Sequence, residues 1–333
     1  MNIKKNRIAA TLSMIAVSLS ILAGCGQNSS QASQGGATKA DNTVRIGYVK
    51  ILGEAPAIIG QEEGIFQKDG LNAKFFAFSD GPSLYKALAS KQIDIGYAGI
   101  PQAVAWASRG MDIKVVAKVE NGKFGLIAKR TAPEQKVADF RGKSVASVGT
   151  GSGNDLLLRG FLLPAAGLTQ NDVKIETVPQ ANMEATVNAG NVNAAFLGDP
   201  FLTYASLRND KIIATTPDPG FVAIARNSFI QDEPNVMKKF IQAHNDSINF
   251  LNNDSNQANN DLAKAFNIAP ITTGSKTYTP VQIITEARKE MKFASQITTS
   301  DLSFYQKLAD ADFKLGYISN KFQINTIIDK QFS

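Results

Sequence analysis

The stretch with the most pointed chemistry is Gly149-Thr150-Gly151-Ser152-Gly153-Asn154, three glycines alternating with polar residues directly after the strand-like Lys143–Val148. Glycine lets backbone approach a ligand closely, and free N–H groups at a strand-to-helix turn bind anionic oxygens. Ser152 with Asp155 three residues on also fits a helix cap, which needs no ligand at all. As a nucleotide motif the loop is defective: the last glycine of G-x-G-x-x-G falls on Asn154, and no phosphate-binding lysine follows the glycines. Comparable turns end other strand-like runs. They offer Glu54 in Lys50–Pro56, Ser79, Asp80 and Gly81 before Pro82, Gly99, Ile100 and Gln102 around Pro101, Asn121 after Glu120, and Asp199 before Pro200. Pro82, Pro101 and Pro200 suit the first turn of a helix. Asp80, Asp155 and Asp199 can serve the helix starts, while Glu54 or Asp199 can instead face a ligand ammonium. The expected ligand-binding set is therefore Glu54, Ser79, Asp80, Gly81, Gly99, Ile100, Gln102, Asn121, Thr150, Gly151, Ser152, Gly153, Asn154 and Asp199.

Other chemistries are poorly supplied. The 333 residues hold one cysteine, Cys25, and one histidine, His244, too few for a zinc site or Cys/His nucleophilic catalysis. No metal, no cofactor and no catalytic residue is expected. His244 follows Phe240 by four in the helical pattern Pro234–Leu251 and reads as packed or surface. Tyr48, Phe78, Tyr97, Trp106 and Phe124 read as core, with Tyr97, just before a turn, the best placed to stack on a ligand. Lys and Arg are scattered among Asp and Glu rather than gathered in a stripe, which argues against nucleic acid.

The N-terminus carries an address. Lys4, Lys5 and Arg7 precede the apolar run Ile8–Ala23, 16 residues long and short of the roughly 20 needed to span a bilayer. That is a secretory leader. Leu22-Ala23-Gly24-Cys25 resembles the lipobox of bacterial lipoproteins, which implies cleavage before Cys25 and a lipid on its thiol. The leader holds three basic residues and no acidic one, so the charge of +6 falls to +3 without it. Gln27–Asn42, rich in Gln, Ser, Gly and Ala, reads as a flexible tether; the leader is thus 1–24 and the tether 25–42.

From Val44 onward strands alternate with helical patterns, the mark of an α/β fold with mostly parallel sheets. A shift of 99 residues lays Val44–Val49 on Lys143–Val148, and Leu84–Pro101 on Met183–Pro200. Each copy reads β–α–β–α–β, then Gly-x-Pro. Phe124–Lys129 (FGLIAK) and Phe221–Arg226 (FVAIAR) are near-copies that suit two strands carrying the chain between two lobes and back. The expected division is 43–128 plus 224–333 for the first lobe and 129–223 for the second. The helical remainder (Pro234–Leu251, Ala258–Phe266, Pro280–Met291, Asp301–Leu315) is expected on the first lobe.

Several short segments, in order, carry a wider resemblance: Val44-Arg45-Ile46-Gly47-Tyr48, Glu63-Gly64-Ile65-Phe66, Ser79-Asp80-Gly81-Pro82, Ala89–Gly96, Gly142–Ala146 and Gly198-Asp199-Pro200-Phe201. Over about 43–320 the chain resembles the extracytoplasmic solute-binding lipoproteins of ABC importers, in the SsuA/THI5-like branch for nitrate, sulfonate and taurine. The resemblance implies a bilobed periplasmic-binding-protein-like α/β fold of type II, two βαβ lobes joined by two crossover strands. It implies capture of a small organic anion or zwitterion, such as a sulfonate or taurine, between the lobes. It further implies a monomer lipid-anchored on the outer face of the cell membrane, delivering its solute to an ABC permease and its ATPase. A neutral heterocycle, such as a thiamine-type pyrimidine precursor or a flavin, is the alternative ligand. A lipid-anchored sensor is the alternative role, and the iron motif of the THI5-type enzymes has no counterpart here.

Overall fold

The computed structural model describes residues 42–332; the leader, Cys25 and the tether up to residue 41 lie outside them. Ten strands form two five-stranded sheets. The first contains β1 (Thr43–Val49), β2 (Asn72–Phe78), β3 (Ile95–Gly99), β4 (Ile113–Lys118) and β11 (Phe221–Arg226), in the order β2-β1-β3-β11-β4. The second contains β6 (Lys123–Ala128), β7 (Ser144–Ser147), β8 (Lys174–Thr177), β9 (Ala194–Gly198) and β10 (Lys211–Pro217), in the order β10-β6-β9-β7-β8. A two-residue strand, β5 (Glu120–Asn121), pairs with Lys292–Phe293. Both sheets are mixed rather than mostly parallel, and their central strands β3 and β9, each parallel to one neighbour and antiparallel to the other, are buried along their whole length, as expected for strands covered on both faces.

The repeat is real in three dimensions. Ile46 pairs with Ile95 in the first sheet and Val145 with Ala194 in the second, so both partners shift by the same 99 residues. Helices Gly81–Ala89 and Gln180–Asn188 keep that offset. Both sheets use one connection rule, and each inserts one antiparallel strand arriving from the other: β6 beside β9, β11 beside β3. An antiparallel strand needs no crossover helix.

That insertion corrects the expected boundaries. The strands near 124–129 and 221–226 are not themselves the crossings, because β6 lies wholly in the second sheet and β11 wholly in the first. The chain passes between sheets at Val119–Gly122 and at Asp218–Gly220. Of the C-terminal helices, Pro234–Asn253 packs on Ala55–Glu62 and Thr299–Lys314 mainly on Ile100–Ala107, both in the first sheet's layer, while Pro280–Arg288 packs mainly on Ser255–Ala265 and also touches Phe201–Leu207, beside the second. Phe304 meets Phe161 edge-on at 6.4 Å, and Thr273 donates to the Leu207 carbonyl at 2.7 Å.

His244 is fully buried. The Lys118 carbonyl, 2.8 Å from Nε2, can only accept, so Nε2 carries the proton and Nδ1 accepts from the Tyr97 hydroxyl at 2.9 Å. Burial holds the ring's pKa down to about 4. Tyr97 is therefore a core residue, not the ligand-stacking exception its position suggested.

Candidate functional site

A cleft of about 840 Å³ opens between the two sheets, at the carboxyl ends of β1, β2 and β3 on one wall and of β7 and β8 on the other. Ligands in α/β folds sit at this end of the strands. Of the expected set, Glu54, Ser79, Asp80, Gly81, Gly99, Gln102, Thr150, Ser152, Gly153 and Asn154 line it. The 99-residue repeat sets the starts of Gly81–Ala89 and Gln180–Asn188 on opposite walls, and Gly153–Leu157 opens a third helix there. Helix starts favour negative charge, and Lys86 and Lys50 add cationic side chains to the lining.

The glycine loop is built for position. Ser152 Oγ caps its helix by accepting from Asp155 N at 3.1 Å. Asn154 spends its whole amide on the scaffold: Oδ1 accepts from Ser147 Oγ at 2.7 Å and Val148 N at 3.2 Å, and Nδ2 donates to the Phe196 carbonyl at 2.7 Å. Asp155 faces away from the cleft. It accepts from Gly151 N at 3.2 Å, from Arg159 Nε at 2.6 Å and from the Tyr317 hydroxyl, which ties the loop to the C-terminal segment. Gly151 does not line the cleft; it sits at φ +80°, where a side chain is strained, and its N–H is already used.

On the first wall, Asp80 caps its helix through Ser83 N at 2.8 Å and also accepts from Ser79 Oγ at 2.8 Å. Burial opposes its charge, yet the Ser83 and Ser79 hydrogen bonds and Lys86 bring its pKa below the ordinary value. The Gln102 amide lies over Gly81, where a Cβ would come within 2.3 Å of its oxygen. It has no hydrogen-bond partner among the described residues, so it is open to a ligand. Glu54 is 2% exposed. One carboxyl oxygen accepts from Val49 N at 2.5 Å; no cation pairs with the other among the described residues. Burial pushes this carboxyl well above its ordinary range, opposed only by the Val49 bond.

Besides Gly151, three expected residues fall elsewhere. Ile100 is buried, its N–H donating to the Gly220 carbonyl at 3.1 Å, so it anchors a crossing. Asn121 is exposed on β5, paired with Lys292. Asp199 accepts from Thr203 N at 3.1 Å and Thr203 Oγ1 at 2.6 Å, capping the next helix. It lines a small separate pocket, and burial raises its pKa to about 6.

The cleft also holds residues the sequence reading placed in the core or passed over. Phe78, Phe124, Phe201 and Phe221, with Val49, Ile51 and Val148, make much of its surface. Phe124 pairs with Gly198 and Phe221 with Gly99, so the two near-copy strands each bring a phenylalanine at their start to the cleft against a strand-ending glycine. The signal was present in FGLIAK and FVAIAR, whose shared leading Phe marks the end of the strand nearest the crossing.

Among the described residues no helix is long and apolar enough to cross a membrane. Residues 37–267 match the model of the NMT1-like family. A putative aliphatic sulfonates-binding protein of Bacillus subtilis (strain 168) is 23% identical over 325 residues, covering 94% of this chain and 92% of its own. The periplasmic aliphatic sulphonate binding protein SsuA from Escherichia coli superposes with a TM-score of 0.72 at 21% identity, over 87% of this chain and 92% of that one. The alkanesulfonate-binding protein SsuA from Xanthomonas axonopodis pv. citri, solved with MOPS bound, gives 0.71 at 19% identity, over 86% and 98%. The fold is that of the periplasmic binding proteins, and the relatives are named as binding proteins.

Proposed function

Since the chain belongs to the NMT1-like family, we propose that it is the solute-binding component of an ABC importer and captures organic sulfonates in the cleft between its sheets. The observation that carries this reading is the composition of one cavity. Helix starts and Lys86 supply positive potential, while Phe78, Phe124, Phe201 and Phe221 supply an apolar surround. A ligand with an anionic head and an apolar body satisfies both. At about 840 Å³ the cleft has room for far more than a bare oxyanion. The protein then works outside the cytoplasm as a monomer, held to the membrane by lipid on Cys25, and hands its solute to a permease driven by an ATPase. It binds and does not transform.

Glu54 is the group that meets a ligand ammonium where one is present, since its outer oxygen has no cationic partner. Glu54→Gln should cost an aminoalkanesulfonate roughly tenfold or more in affinity, as expected for a hydrogen bond to a charged group. The unaminated sulfonate of equal length should change about threefold at most. Equal losses for both, measured by calorimetry, would remove Glu54 from this role. The four phenylalanines and the open Gln102 amide also suit a flat neutral heterocycle. A thermal-shift panel of alkanesulfonates, taurine, nitrate, a pyrimidine and a flavin separates the readings: stabilisation by the heterocycles alone overturns the sulfonate proposal.

A further inference from the structure

Behind the cleft, two buried carboxyl groups face each other across the two crossings. Glu120 (1% exposed) lies on the outgoing segment and Asp218 (4% exposed) on the returning one. Asp218 holds both passages: one oxygen accepts from Gly122 N at 2.5 Å, the other from Gly220 N at 2.7 Å. Glu120 Oε2 is buried and has no hydrogen-bond partner among the described residues. A Cβ on Gly122 would lie 2.8 Å from Glu120 Oε2 and 3.3 Å from Asp218 Oδ2, so both oxygens crowd one point. Among the described residues no cation forms an ion pair with either carboxyl. Lys118, whose charge bears on Glu120, is engaged with Asp301 at 2.6 Å, and Lys123, which lines the same small pocket, is paired with Glu290. The other ionisable groups that bear on the pair are Asp199, which adds to the negative charge, and the buried Tyr305.

Two like charges this close in a buried place do not both ionise; one proton is retained between them. Burial first, then Asp218, pushes the Glu120 carboxyl well up, consistent with its holding that proton. The small pocket that contains the pair is walled by Ile51, Phe124 and Phe221, which also line the ligand cleft. The pocket of the acid pair and the cleft therefore share these walls.

We propose that Glu120 and Asp218 form a one-proton clamp across the two crossings, so that closing the cleft on a ligand is linked to keeping that proton. Loss of the proton puts two negative charges in the pocket, and only separation of the crossings or entry of water relieves them. Ligand and proton then favour the same state, and the coupling is reciprocal. The inference rests on the cleft as the binding site, but its test is independent of which ligand enters.

The test is hydrogen exchange of the ligand-free protein at Val119–Gly122 and Asp218–Gly220 across pH 5–9, corrected for intrinsic rates. Alongside it, butanesulfonate affinity is measured by calorimetry over the same range, a probe that does not titrate there. Wild type should lose protection at both segments as pH rises, and affinity should fall by up to about tenfold per pH unit once the proton leaves. Glu120→Gln keeps a neutral donor and should flatten both profiles; Asp218→Asn provides the second variant should the first fold poorly. Flat exchange in the wild type, or the same slope in both proteins, overturns the clamp. Absence of butanesulfonate binding with pH-dependent exchange retained would instead count against the sulfonate reading and leave the clamp supported.

Discussion

Gly153→Val is expected to lower sulfonate affinity about five- to a hundredfold while leaving the chain folded. Gly153 opens the helix at the second wall, and Pro219 of the returning crossing lies directly against it. A Cβ would come within 2.6 Å of Pro219 Cβ and 2.8 Å of its Cγ. A proline ring has no rotamer by which to retreat. The same ring carbon, Pro219 Cγ, lies 3.5 Å from where a Cβ on Gly99 would stand, at the helix start of the first wall. Pro219 is thus a spacer between the two walls, and bulk at Gly153 changes their separation. Overpacking of this kind costs roughly 1–3 kcal/mol, which sets the affinity range. Each sheet retains its buried strands, so the melting transition should stay cooperative. Gly151→Val makes the comparison: it strains a left-handed residue without touching Pro219 and should reduce stability more than affinity. Unchanged calorimetric affinity in a folded Gly153→Val protein would contradict the placement of this loop in the binding wall.

Asp312→Asn is expected to stabilise the protein by about 2–4 kcal/mol at neutral pH, a gain that should vanish in acid. Asp312 is 1% exposed, on the helix Thr299–Lys314, and its Oδ2 has no hydrogen-bond partner among the described residues. Burial raises its pKa to about 8, and Arg109 offsets only part of that. The folded state thus holds a proton that the unfolded state releases near pH 4. Stability from this group is complete below the unfolded value and is lost progressively as pH rises toward 8. Asparagine keeps the shape and never ionises. Thermal unfolding should therefore show the variant melting roughly 5–10 °C higher at pH 8 and level with wild type at pH 4. His244, held down to about 4, acts with the opposite sign between pH 4 and 6.5, but equally in both proteins. A variant that gains nothing at pH 8, or gains as much at pH 4, would show that Asp312 is stabilised by contacts rather than costly to ionise.

The fold was readable because its repeat is written in apolar spacing. A period of 99 residues survives at the registers Ile46–Ile95 and Val145–Ala194, where both faces of a strand are buried and any shift would misplace the core. The crossings were misplaced for the reason that makes the fold compact. The near-copies at Phe124 and Phe221 look like connections in sequence, yet each is a full sheet strand, and the real passages are the polar Val119–Gly122 and Asp218–Gly220. The turns that line the cleft were legible from Gly, Ser and Pro at helix starts. Which side chains within them face the ligand was not. Asn154 and Asp80 have the right chemistry but spend much of it on local hydrogen bonds. Asp199 follows the same repeat as Ile100 and turns to cap its own helix. Phe78 and Phe124 were taken for core, and Phe201 and Phe221 passed over, because an apolar cleft and an apolar core share a sequence pattern; only the opening between the sheets separates them.

The walls have opposite tasks. On the sulfonate proposal, backbone at the helix starts would meet the charged head of a ligand and the four aromatic rings its body, so neither feature alone would select the solute. That division is tested most directly by calorimetric titration of the purified protein with octanesulfonate, with sulfate and octanol as competitors. Binding should be one to one with a Kd of micromolar or below and a negative heat-capacity change, as burial of apolar surface requires. Neither competitor at hundredfold excess should displace it. No heat with octanesulfonate, or displacement by sulfate alone at equal concentration, would contradict a cleft built for an organic sulfonate.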